Sequence, residues 1–405
     1  MARSSRGTRS IETGAEYGPD TIETVIRERV KRTIEMVVEQ ELEASLGAGR
    51  SNRVGDKRHG YRHGRRSRTL ATSTGTTTID MPRGRMWQSD GSTREWTSRT
   101  IPRYQRRTER VDQAILGSYL GGINTRRIRG ALAPLLRDTP ICKDAVSRLV
   151  SRLKDDFAAW QSRDLSGEDV RYLILDGWYP RMRLAGSRHR VPVLVALGVF
   201  GDGHKEILDL RLAGNESTQA WRQVVQGLAH RGLKTPELAV VDGSVGLRGA
   251  LERQWPTMPV QRCTAHKLRN LESLLPKALK EELAENYRRV IYADSATESA
   301  RLRRGFVARW SKVHQGVVRS LEEAGDELFT FQRFPRSQWK SLRTTNALER
   351  VNGEFRRRTK TQASLPSEQA VLLLLFGLLK TGYVRMRRIN GWRDMRPRIE
   401  EQEAA

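Results

Sequence analysis

Two short hydrophobic runs in this chain stop on the same dipeptide. Tyr172-Leu-Ile-Leu175 leads into Asp176-Gly177, and Leu238-Ala-Val-Val241 leads into Asp242-Gly243. Apolar runs of four to eight residues bounded by turn signals have the length and composition of buried strands. Two more stand between them, Val191–Phe200 and Ile207–Leu212, separated by Gly201-Asp-Gly203, a hairpin signal. A helix is expected through Trp221, Val224, Val225 and Leu228, and another over Val245–Gln254. Pro259–Arg262 reads as a short fifth strand.

Three strands, a helix, a strand, a helix and a strand make an α/β order, the one an RNase H-like core would give. Residues 264–335 are helical and charged, an all-α insertion, and Asn346–Arg358 and Ser367–Met386 supply closing helices. The expected division runs as follows: an amphipathic helix within 1–49, a basic arm over 50–108, and a helix-turn-helix-like unit over 109–165. The core follows in two parts, 166–263 and 336–390, on either side of the insertion at 264–335, with a tail over 391–405. The region ahead of the core is thus expected to be mainly helical.

Charge points to the partner. There are 73 Lys plus Arg against 47 Asp plus Glu, a formal charge of +26, and 60 of the 73 cations are Arg. A chain this basic suits a polyanion, and the guanidinium fork suits phosphate in particular. Residues 50–110 carry sixteen cations against five anions and are rich in Gly, Ser and Thr, which suggests mostly loop or arm, with Thr76–Met81 fitting a short strand or hairpin. Candidate DNA contacts there are Arg58, Tyr61, Arg62, Arg65, Arg66, Arg106 and Arg107. His59 and His63 lack nearby partners for a zinc site. In the helix-turn-helix reading, Lys143, Ser147, Arg148 and Arg152 would face the groove; a plain helical bundle fits the same pattern. The helix at 20–46 has an acidic polar face, with Glu23, Glu28, Glu35 and Glu39, and is a candidate dimer interface instead. Two cysteines, Cys142 and Cys263, exclude a disulfide scaffold, and the longest apolar run, Ala370–Leu379, is too short to span a bilayer. A soluble, intracellular protein is expected.

Asp176 and Asp242, each at the carboxyl end of a strand, stand where ligands bind in α/β sheets, with Gly allowing the backbone to turn beside them. Two carboxylates brought together in a basic protein repel unless a divalent cation lies between them. The bland alternative is that Asp-Gly is a common turn. Around Leu348, Val351 and Phe355, one apolar face of a helix, the opposite side carries Asn346, Glu349, Gly353 and Arg356. Glu349 could complete a metal site while Arg356, Arg357 and Arg358 hold a DNA backbone; a solvated charged face is the alternative.

The segment Leu342-Arg-Thr-Thr-Asn-Ala-Leu-Glu-Arg-Val-Asn-Gly-Glu-Phe-Arg-Arg-Arg358 closely resembles the signature of Mutator-superfamily transposases encoded by bacterial insertion sequences. Tyr172–Tyr179 looks like the block with that family's first catalytic Asp, here Asp176, and Val240–Leu247 like the second, here Asp242. Gln261–Asn270 is similar to its Cys-x-x-His block, and Glu349 matches its Glu. Glu216-Ser217 with Trp221, His59–Gly64 and Tyr104–Arg107 fit further blocks in the family's order.

The resemblance implies a DDE transposase using two magnesium (or manganese) ions held by Asp176, Asp242 and Glu349, with no zinc. Cys263 and His266 would pack beside the site with Asn346 and Gly353, and Lys267 and Arg269 would contact phosphate. Trp221 is either core packing or a wedge against a distorted base. Double-stranded DNA is the implied partner, bound by a homodimer or larger assembly at element ends and target, with no membrane involved. Two other functions stay open: an RNase H-like nuclease that does not join strands, and a catalytically inactive DNA-binding regulator.

Overall fold

The computed structural model describes residues 19–52, 58–120, 128, 131–132, 143–179, 182–184, 187–189, 191–361 and 367–395, with side chains left out at 19–21, 143–145, 182–184, 187–189 and 359–361. The chain divides into two compact units, residues 1–119 with 123–149, and 120–122 with 150–405.

In the first unit, helix α1 (Pro19–Leu46) packs on an antiparallel sheet of β1 (Gly60–Thr72), β2 (Gly75–Trp87) and β3 (Thr93–Glu95), in that order. The region is therefore not mainly helical, and the basic stretch is not mostly loop. Thr69, Thr72 and Thr76–Thr78 are β-branched, and Gly75 (φ +107°) closes the tight turn between two thirteen-residue strands. Only the carboxyl half of α1 buries its apolar face: Val38, with Ile34 beside it, packs on Leu70, Ile79 and Ile101. Ile22, Val25 and Ile26 stay exposed. The acidic face of α1 is spent on the hairpin. Glu39 and Glu43 hold Arg62, Glu39 also holds Arg65 at 3.3 Å, and Glu35 accepts the Asp80 N–H at 2.8 Å. Helix α2 (Glu109–Leu120) follows, and α3 (Lys143–Ser162) runs on into the second unit. The middle of the expected helix-turn-helix, 121–127 and 133–142, lies outside the described residues.

The second unit is built on a five-stranded sheet. Its strands are β4 (Val170–Trp178), β7 (Val193–Phe200), β8 (Lys205–Leu212), β9 (Leu238–Val241) and β10 (Val260–Arg262), ordered β10-β9-β4-β7-β8. The hairpin strands β7 and β8 are antiparallel to their neighbours, while β9 and β10 run parallel to β4 and each other. A small hairpin, β5 (Met182–Leu184) with β6 (Ser187–His189), had no counterpart in the strand runs read from sequence.

Alternation along β4 sorts the two faces. Leu173 and Leu175 join the core made with α4 (Thr218–His230) and α5 (Val245–Gln254). Tyr172 faces the other way, donating to Gln338 at 2.8 Å and meeting Phe334 edge-on. Trp178 packs on Phe355 of α10 (Asn346–Thr361). Closing helix α11 (Glu368–Lys380) sets Phe376 against Phe157 and Trp160.

Between β10 and α10 the chain leaves as helices α6 (Thr264–Ser273), α7 (Lys277–Ile291), α8 (Ala296–Val313) and α9 (Gln315–Ala324). They close on a core of their own around Leu283, Tyr287, Phe306, Trp310 and Leu321. No helix among the described residues is long and apolar enough to cross a membrane.

Candidate active site

The parallel register of β4 and β9 pairs Tyr172 with Leu238 and Ile174 with Val240. The pairing ends there, and two residues on each strand continue to Asp176 and Asp242, near enough for the Asp242 charge to act on Asp176. Asp176 lies in the last turn of pleat of β4, 6% exposed, on the face that α10 covers. From α10, Asn352 donates to the Asp176 carboxylate at 3.4 Å. Burial is the main reason that the Asp176 carboxyl is pushed up to about 7; Asp242, Glu216 and Glu349 add to it, and His266 opposes it. The Asp242 carboxylate turns back on its own loop and accepts the Ser244 N–H at 2.8 Å. Here glycine is required: Gly243 has φ +94°.

Glu349 occupies the first turn of α10, where a carboxylate suits the helix dipole. It pairs with Arg269 at 2.5 Å. Among the described residues no three His, Cys, Asp or Glu side chains stand close enough to hold one metal ion.

The Cys-x-x-His pair acts as a joint. Cys263 is fully buried, and its N–H donates to the carbonyl of Val241, the residue before Asp242, at 2.6 Å. Its sulfur accepts from the N–H and hydroxyl of Thr345 at 3.4 and 3.5 Å, immediately ahead of α10. The end of the Asp242 strand and the start of the Glu349 helix thus meet on one residue. Burial alone would raise the Cys263 thiol; hydrogen bonding with His266 and Thr345 outweighs it and lowers the thiol. The same bond to Cys263 raises His266, with Asp176 contributing.

Several expected DNA contacts are engaged elsewhere. Lys267 is buried, and its ammonium donates to the Ser320 carbonyl at 2.6 Å and to Glu323 at 3.0 Å. It fastens α6 to α9. Arg269 is paired with Glu349. Trp221 is 1% exposed in the sheet core, so it is packing and not a wedge.

Arg62 and Arg65 are neutralised by α1, Arg107 by Asp112 at 2.7 Å, and Arg58 donates to the Gly60 carbonyl. Arg66, Arg106 and Arg148 are exposed and share a groove of about 750 Å³ in the first unit, with Arg68, Arg83 and Tyr104 also in its walls. Tyr61 and Ser147 are exposed, and the side chain of Lys143 lies outside the described residues. On α10, Arg356 and Arg357 face solvent, Arg357 pairs with Glu354 at 2.9 Å, and Arg358 lies over Tyr383. Asn346 is exposed, and a Cβ at Gly353 would meet nothing within 4 Å, so packing does not demand glycine there.

Asn352 and Glu216 were not singled out as site residues from the sequence. Asn352 falls on the apolar side of α10, and a lone amide among Leu348, Val351 and Phe355 was the available signal.

A family model described as "Transposase, Mutator family" matches residues 3–383. The chain belongs to the Mutator family of transposases. It is 31% identical to the transposase for insertion sequence element ISRM5 of Rhizobium meliloti (strain 1021), over 87% of this chain and 86% of that one. It is 30% identical to the IS406 transposase of Burkholderia multivorans, over 91% of each. With the IS905 transposase of Lactococcus lactis identity is 27%, over 86% of this chain and 87% of the relative. A chain of the Drosophila P element transposase strand transfer complex superposes with a TM-score of 0.36 at 9% identity, over 67% of this chain and 91% of that one, too low to bear on the fold.

Proposed function

We propose that this transposase binds the ends of an insertion sequence and cuts and joins DNA strands at Asp176, Asp242 and Glu349, in an RNase H-like core. The adjacency of Asp176 and Asp242 across β4 and β9, under the helix that carries Glu349, is the observation that supports this most. The strand order β10-β9-β4-β7-β8, with β7 alone running against the other four, supports the core assignment.

Magnesium or manganese fits the donor set: hard carboxylate oxygens, one of them so buried and crowded that its anion is disfavoured without a cation. Asp176, Asp242 and Glu349 would hold it once Glu349 releases Arg269. Such ions activate the attacking oxygen and stabilise the leaving one in phosphoryl transfer. The chain's own part is positional. Asn352 fixes one oxygen of Asp176, Ser244 orients Asp242, and the Cys263–Thr345 joint sets the first turn of α10. Freed from Glu349, Arg269 would stand free beside the scissile phosphate. Arg66, Arg106 and Arg148 would track the backbone of the bound end from the groove of the first unit. A second copy is needed to hold two ends, so a dimer or larger assembly on DNA belongs to this reading.

Asp176→Asn or Glu349→Gln should abolish cleavage of an element-end duplex and leave its binding intact; full cleavage by either variant overturns the assignment. Pre-nicked ends separate the nuclease alternative, which would hydrolyse them without joining.

A further inference from the structure

The block Tyr104–Arg107 takes no part in the triad, and the structure gives its first residue an unusual backbone. Pro102 to Gln105 form a tight turn, closed by the Gln105 N–H on the Pro102 carbonyl at 3.2 Å. Tyr104, third in the turn, has φ +72°, whereas the φ of Arg103 is not positive. Those are the signs of a type II turn, whose third position favours Gly or Asn because a Cβ is strained there. A tyrosine at this place strains the backbone, and packing does not offset it. The side chain is 80% exposed, more than any other Phe, Tyr or Trp among the described residues. The turn is nonetheless tied down on both sides. Arg68 reaches from β1 to the Pro102 and Gln105 carbonyls. The Ala71 N–H donates to the Arg106 carbonyl, and the Ala71 carbonyl accepts the Thr108 N–H, each at 2.9 Å. Strain of this kind persists only where the surroundings hold the residue in place.

The surroundings indicate what the ring is held for. Tyr104 stands in the wall of the groove that Arg66, Arg106 and Arg148 also line. Among the described residues no carboxylate pairs with those three, and the one acid of the groove, Glu95, is held by Arg83 at 2.9 Å. Burial first, then the charges of Arg66 and Arg106, lowers the Arg68 guanidinium, as crowding of cations without counter-ions should. An open aromatic ring beside unneutralised arginines is the combination that binds a nucleic-acid strand: the cations take phosphates and the ring takes a base. The ring has one face to offer. The Arg103 guanidinium lies over the other, 5.2 Å from the ring centre, as a cation–π contact. A side chain wedged between two base pairs is covered on both faces, whereas one that stacks on a base freed from the duplex needs only one.

We propose that Tyr104 is a stacking platform for an unpaired nucleobase of the DNA held in this groove, with Arg103 backing its ring. This rests on the reading of the groove as a DNA site given above. Fluorescence anisotropy of the full chain with labelled oligodeoxythymidine, and with an abasic strand of equal length and charge, tests it. Tyr104→Gly should weaken oligodeoxythymidine roughly tenfold and leave the abasic strand within about twofold, since only the first has bases to stack. Tyr104→Asn, which also suits a left-handed φ, should do the same, and Tyr104→Phe should bind both strands as the parent does. Thermal melts of the glycine and asparagine variants should hold or rise, because the turn loses its strain, so weaker binding is not unfolding. Tyr104→Gly binding oligodeoxythymidine within about twofold of the parent, or weakening both strands equally, overturns the platform. So does Tyr104→Phe falling as far as glycine, which would make the hydroxyl the contact. In each case Arg66→Gln and Arg106→Gln still weakening both strands leaves the groove a DNA site. If those two variants change neither strand, the groove reading falls and the platform with it.

Discussion

Glu323→Gln removes one charge and strands two. Arg262 and Lys267 are buried to about 95%, and the Glu323 carboxylate reaches both, at 2.7 and 3.0 Å. Breaking a fully buried ion pair by deleting one partner costs about 3–5 kcal/mol, whereas an exposed pair is worth about 0–1 kcal/mol. The case lies between these limits. The Glu323 side chain is 52% exposed, which screens it, and Lys267 keeps the Ser320 carbonyl at 2.6 Å. A loss of about 2 kcal/mol is expected, or roughly 4–8 °C in Tm for a unit of this size. Urea unfolding at pH 7, followed by circular dichroism, measures it.

The pH dependence has a definite sign. The hydrogen bond from Arg262 first, then that from Lys267, hold the Glu323 carboxyl down at about 2 against an ordinary 4.5, although burial opposes them. Its contribution is complete above pH 4.5 and disappears as pH falls through about 2. Parent and variant should therefore converge over that window. A loss below about 0.5 kcal/mol at pH 7, or a gap that stays constant down to pH 2.5, would refute the reasoning.

Asp176→Asn should raise the melting temperature of the metal-free protein above pH 7. Burial and neighbouring acids raise this carboxyl, so its ionised form costs stability that is gained back as pH falls below about 7; a lower Tm for the variant at pH 8 in EDTA would contradict this. Trp221→Ala, in the sheet core, should cost about 3–5 kcal/mol with no specific effect on DNA affinity near neutral pH at low temperature; a folded variant with selectively weakened DNA binding would restore the wedge. Arg66→Gln and Arg106→Gln should each lower the salt slope of duplex binding by about 1, measured by fluorescence anisotropy, whereas Arg62→Gln should not; equal slopes for all three would remove the distinction between free and neutralised arginines.

The second unit was legible where one periodicity decided the outcome. Leu238–Val241 and Val245–Gln254 begin and end as the residues suggest, because short apolar runs bounded by Gly and Pro leave few alternatives. In the first unit only Thr76–Met81 was legible as strand, because the Arg and Gly that flank it carry little strand signal by themselves. Its hairpin is held by tertiary pairing with the acidic face of α1, which charge counting cannot foresee. The same limit hid the partners of Lys267 and Arg269: a cation in a basic chain suggests phosphate until the fold brings a carboxylate to it. Gly177 shows the converse. A Cβ there would meet the carboxylate of Glu216, thirty-nine positions away, which no local rule could connect.

The joint at Cys263 also closes a ring of chain. Thr264 and Arg343, 79 positions apart, are tied by the Thr264 N–H and hydroxyl, both donating to the Arg343 carbonyl at 2.9 and 3.0 Å. The helical insertion therefore departs and returns through a single clasp, directly before α10. The entropy of closing a loop grows only with the logarithm of its length, about 0.6 kcal/mol per doubling. Segments could be gained or lost between these two residues over evolutionary time at small thermodynamic cost, and Glu349 would be delivered to the same place. Spacing between the second aspartate and the glutamate is then free to drift among relatives, while the clasp is not.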